Sequence, residues 1–326
     1  MTTGKATLIE GDCLPIMQGM EADSVDLVFC SPPYEAARTY GIAFNLRGQE
    51  WVNWAVPRYM ECCRICKGLV AWVVEGQTKD FRWSATPLLL MADLHRAGVR
   101  LRKPPIFKRV GIPGSGGPDW WRNDYEFIVC ASKGRLPWSD NTANGHPPRW
   151  APGGAMSHRV SSGGRVNQWG HSYASGGTGS IGTDNITCTK PRPSHKLQTR
   201  RKANGERLRD GEYTEPVLAN AGNVVECIVG GGVMGSDFAN DNEAPFPEDL
   251  VRPFVECFCP PGGVVLDPFS GSGTTVAVAV HHGRNAIGID IRESQIELAR
   301  KRIAAGCMDK LDAPVNETPL FAGKGD

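Results

Sequence analysis

Two short stretches of this 326-residue chain combine residue types that can do chemistry. The first is Ser31-Pro32-Pro33-Tyr34, which closes the apolar run Val25 to Cys30, broken only by Asp26. Two consecutive prolines cannot continue a hydrogen-bonded strand, so a buried strand delivers a hydroxyl, two stiff residues and an aromatic ring to its own end. The second is "VVLDPFSGSGTTVAVAV", residues 264 to 280. There a strand ends at Asp267 and Pro268, turns through Phe269, Ser270, Gly271, Ser272 and Gly273, and enters a helix with Thr274 and Thr275 in its first turn. Glycines let backbone approach a ligand, and a helix N-terminus offers free N–H groups to a carboxylate or phosphate.

The spacing narrows the ligand. A dinucleotide fingerprint needs a third glycine where Val276 stands, and a Walker loop needs a GK[ST] triplet that the chain lacks. Seventeen residues after Gly273 the next strand ends in "IGID", which places Asp290 where an acidic side chain can take both ribose hydroxyls of an adenosine. A glycine loop with a ribose acid, but without phosphate apparatus, suits S-adenosylmethionine.

The elements that must position these residues follow from hydrophobic patterning. Strands are expected at about 6–11, 25–30, 68–75, 99–110, 125–132, 263–269 and 285–291, and helices near 50–66, 84–97, 247–258, 273–282 and 293–304. The alternation implies an α/β fold with a mixed, mainly parallel seven-stranded sheet, and its ligand crevice lies at the carboxyl ends of the strands. No helical pattern separates 99–110 from 125–132, so these two should pair antiparallel.

The net charge of +1 hides an asymmetry. Residues 136 to 211 hold eleven Lys/Arg against four acids, a net of +7, which leaves −6 on the remainder. From about 136 to 214 the chain is rich in Gly, Ser, Pro, Arg and His, with almost no apolar period, and cannot bury a core of its own. The expected organisation is residues 1–135 as one half of a domain, 136–214 as an irregular insertion, 215–308 as the second half and 309–326 as a solvated tail. The N-terminus lacks a signal-peptide pattern and no apolar run reaches membrane-span length, so a soluble intracellular protein is expected. Eleven cysteines without a secretory context are read as reduced thiols, and Cys62, Cys63 and Cys66 as buried thiols rather than metal ligands.

"DPFSGSGTT" with "GRNAIGIDI", "GDCLPIM" followed by "SVDLVFCSPPY", and "NEAPFPEDLVRPFVECFCPPGG" together resemble the site-specific DNA amino-methyltransferases, which modify an exocyclic base nitrogen. The order, with the tetrapeptide first, an insertion next and the glycine loop last, resembles the beta arrangement of that family. The resemblance covers about residues 5–135 and 215–305. It implies a Rossmann-like methyltransferase fold in permuted order, with the insertion as target-recognition region, S-adenosylmethionine as cofactor and double-stranded DNA as partner. It also implies a cytoplasmic enzyme of prokaryotic or phage origin, any cognate restriction endonuclease acting as a separate protein.

By this resemblance Ser31 to Tyr34 hold the target base. An aromatic exocyclic amine is a poor nucleophile because its lone pair is delocalised into the ring. Acceptors for its two N–H groups, Ser31 Oγ and the Pro32 carbonyl, would localise that pair. The prolines keep them aimed, and such positioning can be worth roughly 7 to 11 kcal/mol of barrier. The base must leave the duplex at a cost of a few kcal/mol, and Tyr34 stacking would recover about 1 to 3 kcal/mol. The cofactor set is Asp12, Phe246, Pro247, Asp267, Phe269, Ser270, Gly271, Gly273, Thr274, Thr275 and Asp290. Asp12 would sit near the adenine, or else serve only as a helix N-cap. Residues 244–250 would close over the methionine part, although Asn242 stands where relatives often carry histidine.

Serine at the first position is usual in cytosine-N4 enzymes, whereas adenine-N6 enzymes usually carry Asp or Asn there. Cytosine-N4 is therefore the expected target and adenine-N6 the alternative. Carbon-5 methylation needs a Pro-Cys nucleophile, and no proline here precedes a cysteine. Arg149, Arg159, Arg165, Arg200, Arg201 and Lys202 in the insertion are the expected DNA-binding residues. Trp120 and Trp121 either line the base pocket or pack. The competing classes are an oxidoreductase on the same fold, disfavoured by Val276, and a non-catalytic DNA-binding protein, disfavoured by two intact motifs.

Overall fold

In the computed structural model the residues described are 4–35, 44–111, 119–146, 218–229 and 247–307. The chain separates into two compact units, residues 1–144 with 222–326, and residues 145–221. In the first unit the elements, in chain order, are β1 (Ala6–Glu10), α1 (Cys13–Gln18), β2 (Val25–Cys30), α2 (Gly48–Ile65), β3 (Cys66–Val74), β4 (Thr78–Lys79), β5 (Arg82–Trp83) and α3 (Thr86–Arg96). They continue with β6 (Ile106–Val110), β7 (Tyr125–Ala131), β8 (Val224–Ile228), α4 (Glu248–Phe258), β9 (Val264–Asp267), α5 (Thr274–His281), β10 (Asn285–Asp290) and α6 (Glu293–Ala305).

Among the described residues eight strands form one sheet in the order β1-β10-β9-β2-β3-β7-β6-β8, and β4 pairs with β5 in a separate small hairpin. Every neighbouring pair is parallel except those made by β7, which runs against both β3 and β6. The mixed, mainly parallel sheet is the architecture expected, and the 106–110 segment does pair antiparallel with β7.

Two expectations need correction. The sheet has eight strands rather than seven, because Val224–Ile228 adds β8 in parallel to β6, in register Ile106 with Val224. Its apolar run is short and exposed at the sheet edge, where Lys108 and Glu226 pair across it at 2.9 Å. The single strand expected over 99–110 also contracts to Ile106–Val110, leaving only a bridge between Leu101 and Ala131. Pro104 and Pro105 lack the N–H groups a continuous ladder needs.

The central strands are buried on both faces, as a parallel sheet requires. Along β2, Val28 and Cys30 enter a cluster with Met17, Trp51, Tyr59 and Leu90 from α1, α2 and α3. Leu27 and Phe29 point the other way, into a cluster with Leu250, Phe254, Val276 and Val278 from α4 and α5. β3 repeats the alternation, with Val70, Trp72 and Val74 on the first face and Leu69, Ala71 and Val73 on the second. The Phe29 and Phe254 rings meet at 4.8 Å, and the Tyr59 and Trp72 rings at 5.0 Å. Cys13, Cys30, Cys62 and Cys66 belong to the first cluster. Burial raises their thiol pKa, to about 12 at Cys13 and Cys66.

Candidate active site

Sheet topology brings the two sequence motifs to one edge. β2 and β9 are parallel neighbours, with Leu27 opposite Val265 and Val28 opposite Leu266, so Ser31–Tyr34 and the 268–273 turn leave side by side. β10 lies on the far side of β9, Gly288 opposite Asp267, and ends at Asp290 on the same edge. β3 ends there before Glu75, and reversed β7 begins there with Tyr125 and Glu126. This carboxyl edge is where open α/β sheets bind ligands.

Five contacts fix the loop after β2. Ser31 is half-buried and Pro32 buried. The Pro33 carbonyl accepts Trp51 Nε1 at 2.8 Å, and the Tyr34 hydroxyl donates to Glu126 Oε2 at 2.6 Å. Glu35 is buried and accepts the amides of Gly48 at 2.6 Å and Gln77 at 3.0 Å, together with the Ser84 hydroxyl. Burial alone would raise the Glu35 pKa, but these hydrogen bonds outweigh it and hold the carboxyl below its usual range. Glu75 accepts Gly76 N at 2.8 Å and Trp83 Nε1 at 3.0 Å, yet burial still pushes its pKa upward. Glu35, Glu75, Glu126 and Trp51 were not singled out in the sequence. The only local sign was an acid directly after the tetrapeptide, because the partners lie 13 to 92 residues away.

The glycine loop is braced from three sides. Asp290 Oδ2 accepts Gly271 N at 2.9 Å, its Oδ1 accepts Arg292 N at 2.9 Å, and Ser270 N bonds the Ile289 carbonyl at 2.8 Å. Gly273 has φ of +79°, and a Cβ there would lie 2.7 Å from Ala299 Cβ, so both conformation and space demand glycine. From α6, fully buried Arg302 reaches Glu248 Oε1 at 2.7 Å, Thr274 Oγ1 at 2.7 Å and Ser272 Oγ at 3.3 Å. The Thr274 hydroxyl is thereby committed to the interior. The Phe269 ring packs 5.4 Å from Trp72 and 5.7 Å from Trp54.

Asp267 is buried; its Oδ1 accepts Phe269 N at 3.0 Å. Its Oδ2, Ser270 Oγ and Thr275 Oγ1 are buried without a hydrogen-bond partner. Burial pushes the Asp267 pKa up to about 7; the nearby Thr275 hydroxyl and the Phe269 amide oppose the shift, and the Asp290 charge adds to it. Unsatisfied buried polar atoms are uncommon and mark places where a polar ligand fits.

Asp12 follows β1 on the same edge and caps α1, accepting Leu14 N at 3.1 Å. It also pairs with Arg58 at 3.1 Å, whose guanidinium lies 4.4 Å above the Trp54 ring. The N-cap expected as its alternative role is present. Pro247 is buried and precedes α4. Phe246 and Asn242 lie outside the described residues, as do Arg149, Arg159, Arg165, Arg200, Arg201 and Lys202. Trp120 and Trp121, in the β6–β7 connection, are 77% and 87% exposed, with their rings 6.0 Å apart, so they do not pack into the core. Among the described residues no cluster of three metal-ligating side chains occurs, and no helix is long and apolar enough to cross a membrane.

The two sequence motifs thus follow adjacent parallel strands of one mainly parallel sheet. The DNA methylase family model for N6 and N4 methyltransferases matches residues 25–301, and the chain belongs to that family. Type II methyltransferase M.Cfr9I of Citrobacter freundii is 38% identical over 308 residues, covering 91% of this chain and 87% of that one. The match to M.ScaI of Streptomyces caespitosus is local, 36% identical over 78 residues and 26% of its length. Among solved structures, the cytosine-N4-specific PvuII DNA methyltransferase superposes with a TM-score of 0.60 at 15% identity, covering 92% of this chain and 86% of that one. A DNA modification methylase of Thermus thermophilus, complexed with S-adenosyl-L-methionine, gives 0.51 at 19% identity over 92% and 95% of the two chains. These two likenesses establish the fold.

Proposed function

We propose that the chain methylates the exocyclic N4 of cytosine in double-stranded DNA, using S-adenosylmethionine and direct in-line attack by a base flipped out of the helix. The observation that carries this reading is the placement of Ser31–Tyr34 and the 268–273 turn on adjacent parallel strands, opening at one sheet edge.

The residues of the glycine loop fit the cofactor. Asp267, Ser270 and Thr275 present oxygens without partners that can accept from an ammonium, and the amides that open α5 can donate to a carboxylate. Asp290 and Asp12, at the ends of neighbouring strands, would face the ribose and adenine. Phe269, Gly271, Gly273, Thr274, Pro247 and Phe246 would complete the enclosure. Bound there, the cofactor supplies an electrophilic methyl group on a sulfonium.

The chain itself contributes geometry and acceptors. Ser31 Oγ and the Pro32 carbonyl would take the two N–H groups of the target amine and localise its lone pair. The Trp51 bond to the Pro33 carbonyl and the Glu35 clasp behind it hold these acceptors still, the condition under which positioning lowers a barrier. Tyr34 would stack on the base. The halves 1–135 and 215–308 form the catalytic domain in this reading. The basic 136–214 segment, including Arg149, Arg159, Arg165, Arg200, Arg201 and Lys202, contacts the duplex. The natural substrate is cellular DNA in a prokaryotic cytoplasm.

Incubating the purified protein with methyl-labelled S-adenosylmethionine and plasmid DNA, followed by nuclease digestion and mass analysis, tests this directly. N4-methylcytosine is the expected product. N6-methyladenine as sole product would replace the base assignment, and absence of transfer by folded protein would overturn the function.

A further inference from the structure

The Tyr34 side chain does not end at the loop that carries it. Tyr34 follows β2, yet its hydroxyl donates to Glu126 Oε2 at 2.6 Å, and Glu126 belongs to β7. β3 lies between those strands, so the tyrosine spans the end of β3. Glu126 is buried, and its other oxygen meets Arg109 Nη1 of β6 at 3.2 Å. Arg109 is oriented in turn by the Asn123 carbonyl, which accepts Nη2 at 2.9 Å, and by its own amide, which bonds the Asp124 carbonyl at 2.7 Å. A line of contacts thus runs from β2 across the sheet edge to β6.

On the reading that Tyr34 stacks on the extruded base, we propose that Glu126, held by Arg109, is a positioning residue that fixes the plane of the Tyr34 ring. Stacking depends on ring orientation, which the two side-chain torsions of a tyrosine set. A hydroxyl bonded to a buried carboxylate at 2.6 Å is a short, charge-assisted contact that restrains those torsions before DNA arrives. Arg109 fixes the carboxylate in turn, so that it restrains the ring instead of following it. The ring supplies stacking surface, and the hydroxyl supplies its angle.

Tyr34→Phe separates the two contributions, since it keeps the ring and deletes only the hydroxyl. The expected loss is about 10-fold in kcat/KM for plasmid DNA, with cofactor affinity by calorimetry unchanged. Glu126→Leu should lose as much, and Glu126→Gln less, because its amide oxygen still accepts the hydroxyl. Adding Tyr34→Phe to Glu126→Leu should cost nothing more. Wild-type kcat/KM in Tyr34→Phe, or independent losses in the double variant, overturns the proposal. Should Glu126→Leu not fold, Tyr34→Phe alone decides. Failure of the wild-type protein to methylate DNA would instead overturn the functional reading beneath it.

Discussion

Asp290 Oδ2 accepts the Gly271 amide at 2.9 Å while Asp290 Oδ1 accepts the Arg292 amide at 2.9 Å, so one carboxylate ties the end of β10 to the turn after β9. Removing it should disorder the turn as well as delete a ribose contact. Asp290→Ala is expected to weaken S-adenosylmethionine binding by roughly 10- to 100-fold, the worth of one hydrogen bond to a charged group. Titration calorimetry measures this, and Asp290→Asn, which keeps an acceptor for Gly271, should fall between.

Ser31 stands on the other loop and touches a different partner in the proposed reaction. Ser31→Ala should lower kcat by about 100-fold or more while leaving cofactor affinity within a factor of about two. Single-turnover methyl transfer, compared with cofactor binding, is the check. Full turnover in this variant would remove the acceptor role.

Asp267 gives stability a defined pH dependence. Burial raises its pKa from 3.8 to about 7 in the folded protein, more than the opposing Thr275 hydroxyl and Phe269 amide can offset, with Asp290 adding to the rise. Below about pH 4 folded and unfolded chains both carry the proton, and the group is neutral toward stability. Between about pH 4 and 7 only the folded chain keeps it, so the stability contribution falls as pH rises, and then levels off. The cumulative loss is at most ~4 kcal/mol. Urea unfolding of cofactor-free protein at several pH values should therefore show Asp267→Asn gaining on wild type up to about pH 7 and no further.

Arg302 is the buried link between α6, α4 and the glycine loop through Glu248, Thr274 and Ser272. Arg302→Met leaves Glu248 buried without its partner, a change that typically costs about 3 to 5 kcal/mol. Chemical denaturation should record that loss. Cofactor binding should weaken in parallel, because two hydroxyls at the start of α5 lose their anchor.

What was legible in the chain was its strand pattern and the two loops. The runs at 25–30 and 68–75 are apolar on both faces, and such runs become central parallel strands whatever surrounds them. Their neighbours then follow from the βα alternation. Pro104 and Pro105 are visible too, but the apolar residues flanking them suggest a longer strand than the prolines allow. The charged residues that brace the site were not legible. Glu35, Glu126, Arg109 and Arg302 each look like a solvated side chain in isolation. Each is drawn inward by partners distant in sequence, such as Gln77 for Glu35 and Glu248 for Arg302. Asp290 was found because strand-end acids are expected there, but its grip on Gly271 depends on the turn folding back over β10.

The sequestered thiols described with the core make the molecule its own unfolding clock. Ten of its cysteines fall among the described residues, none in a disulfide, and burial lifts the pKa of every one. A thiol held in that state reacts slowly with alkylating reagents because little thiolate is present. Pulse alkylation should therefore label the eight buried sulfurs, all but Cys63 and Cys307, in step with opening of the domain. Because Cys30 lies in β2 and Cys259 just before β9, mass mapping of the label would report whether the two strands that carry the site come apart together.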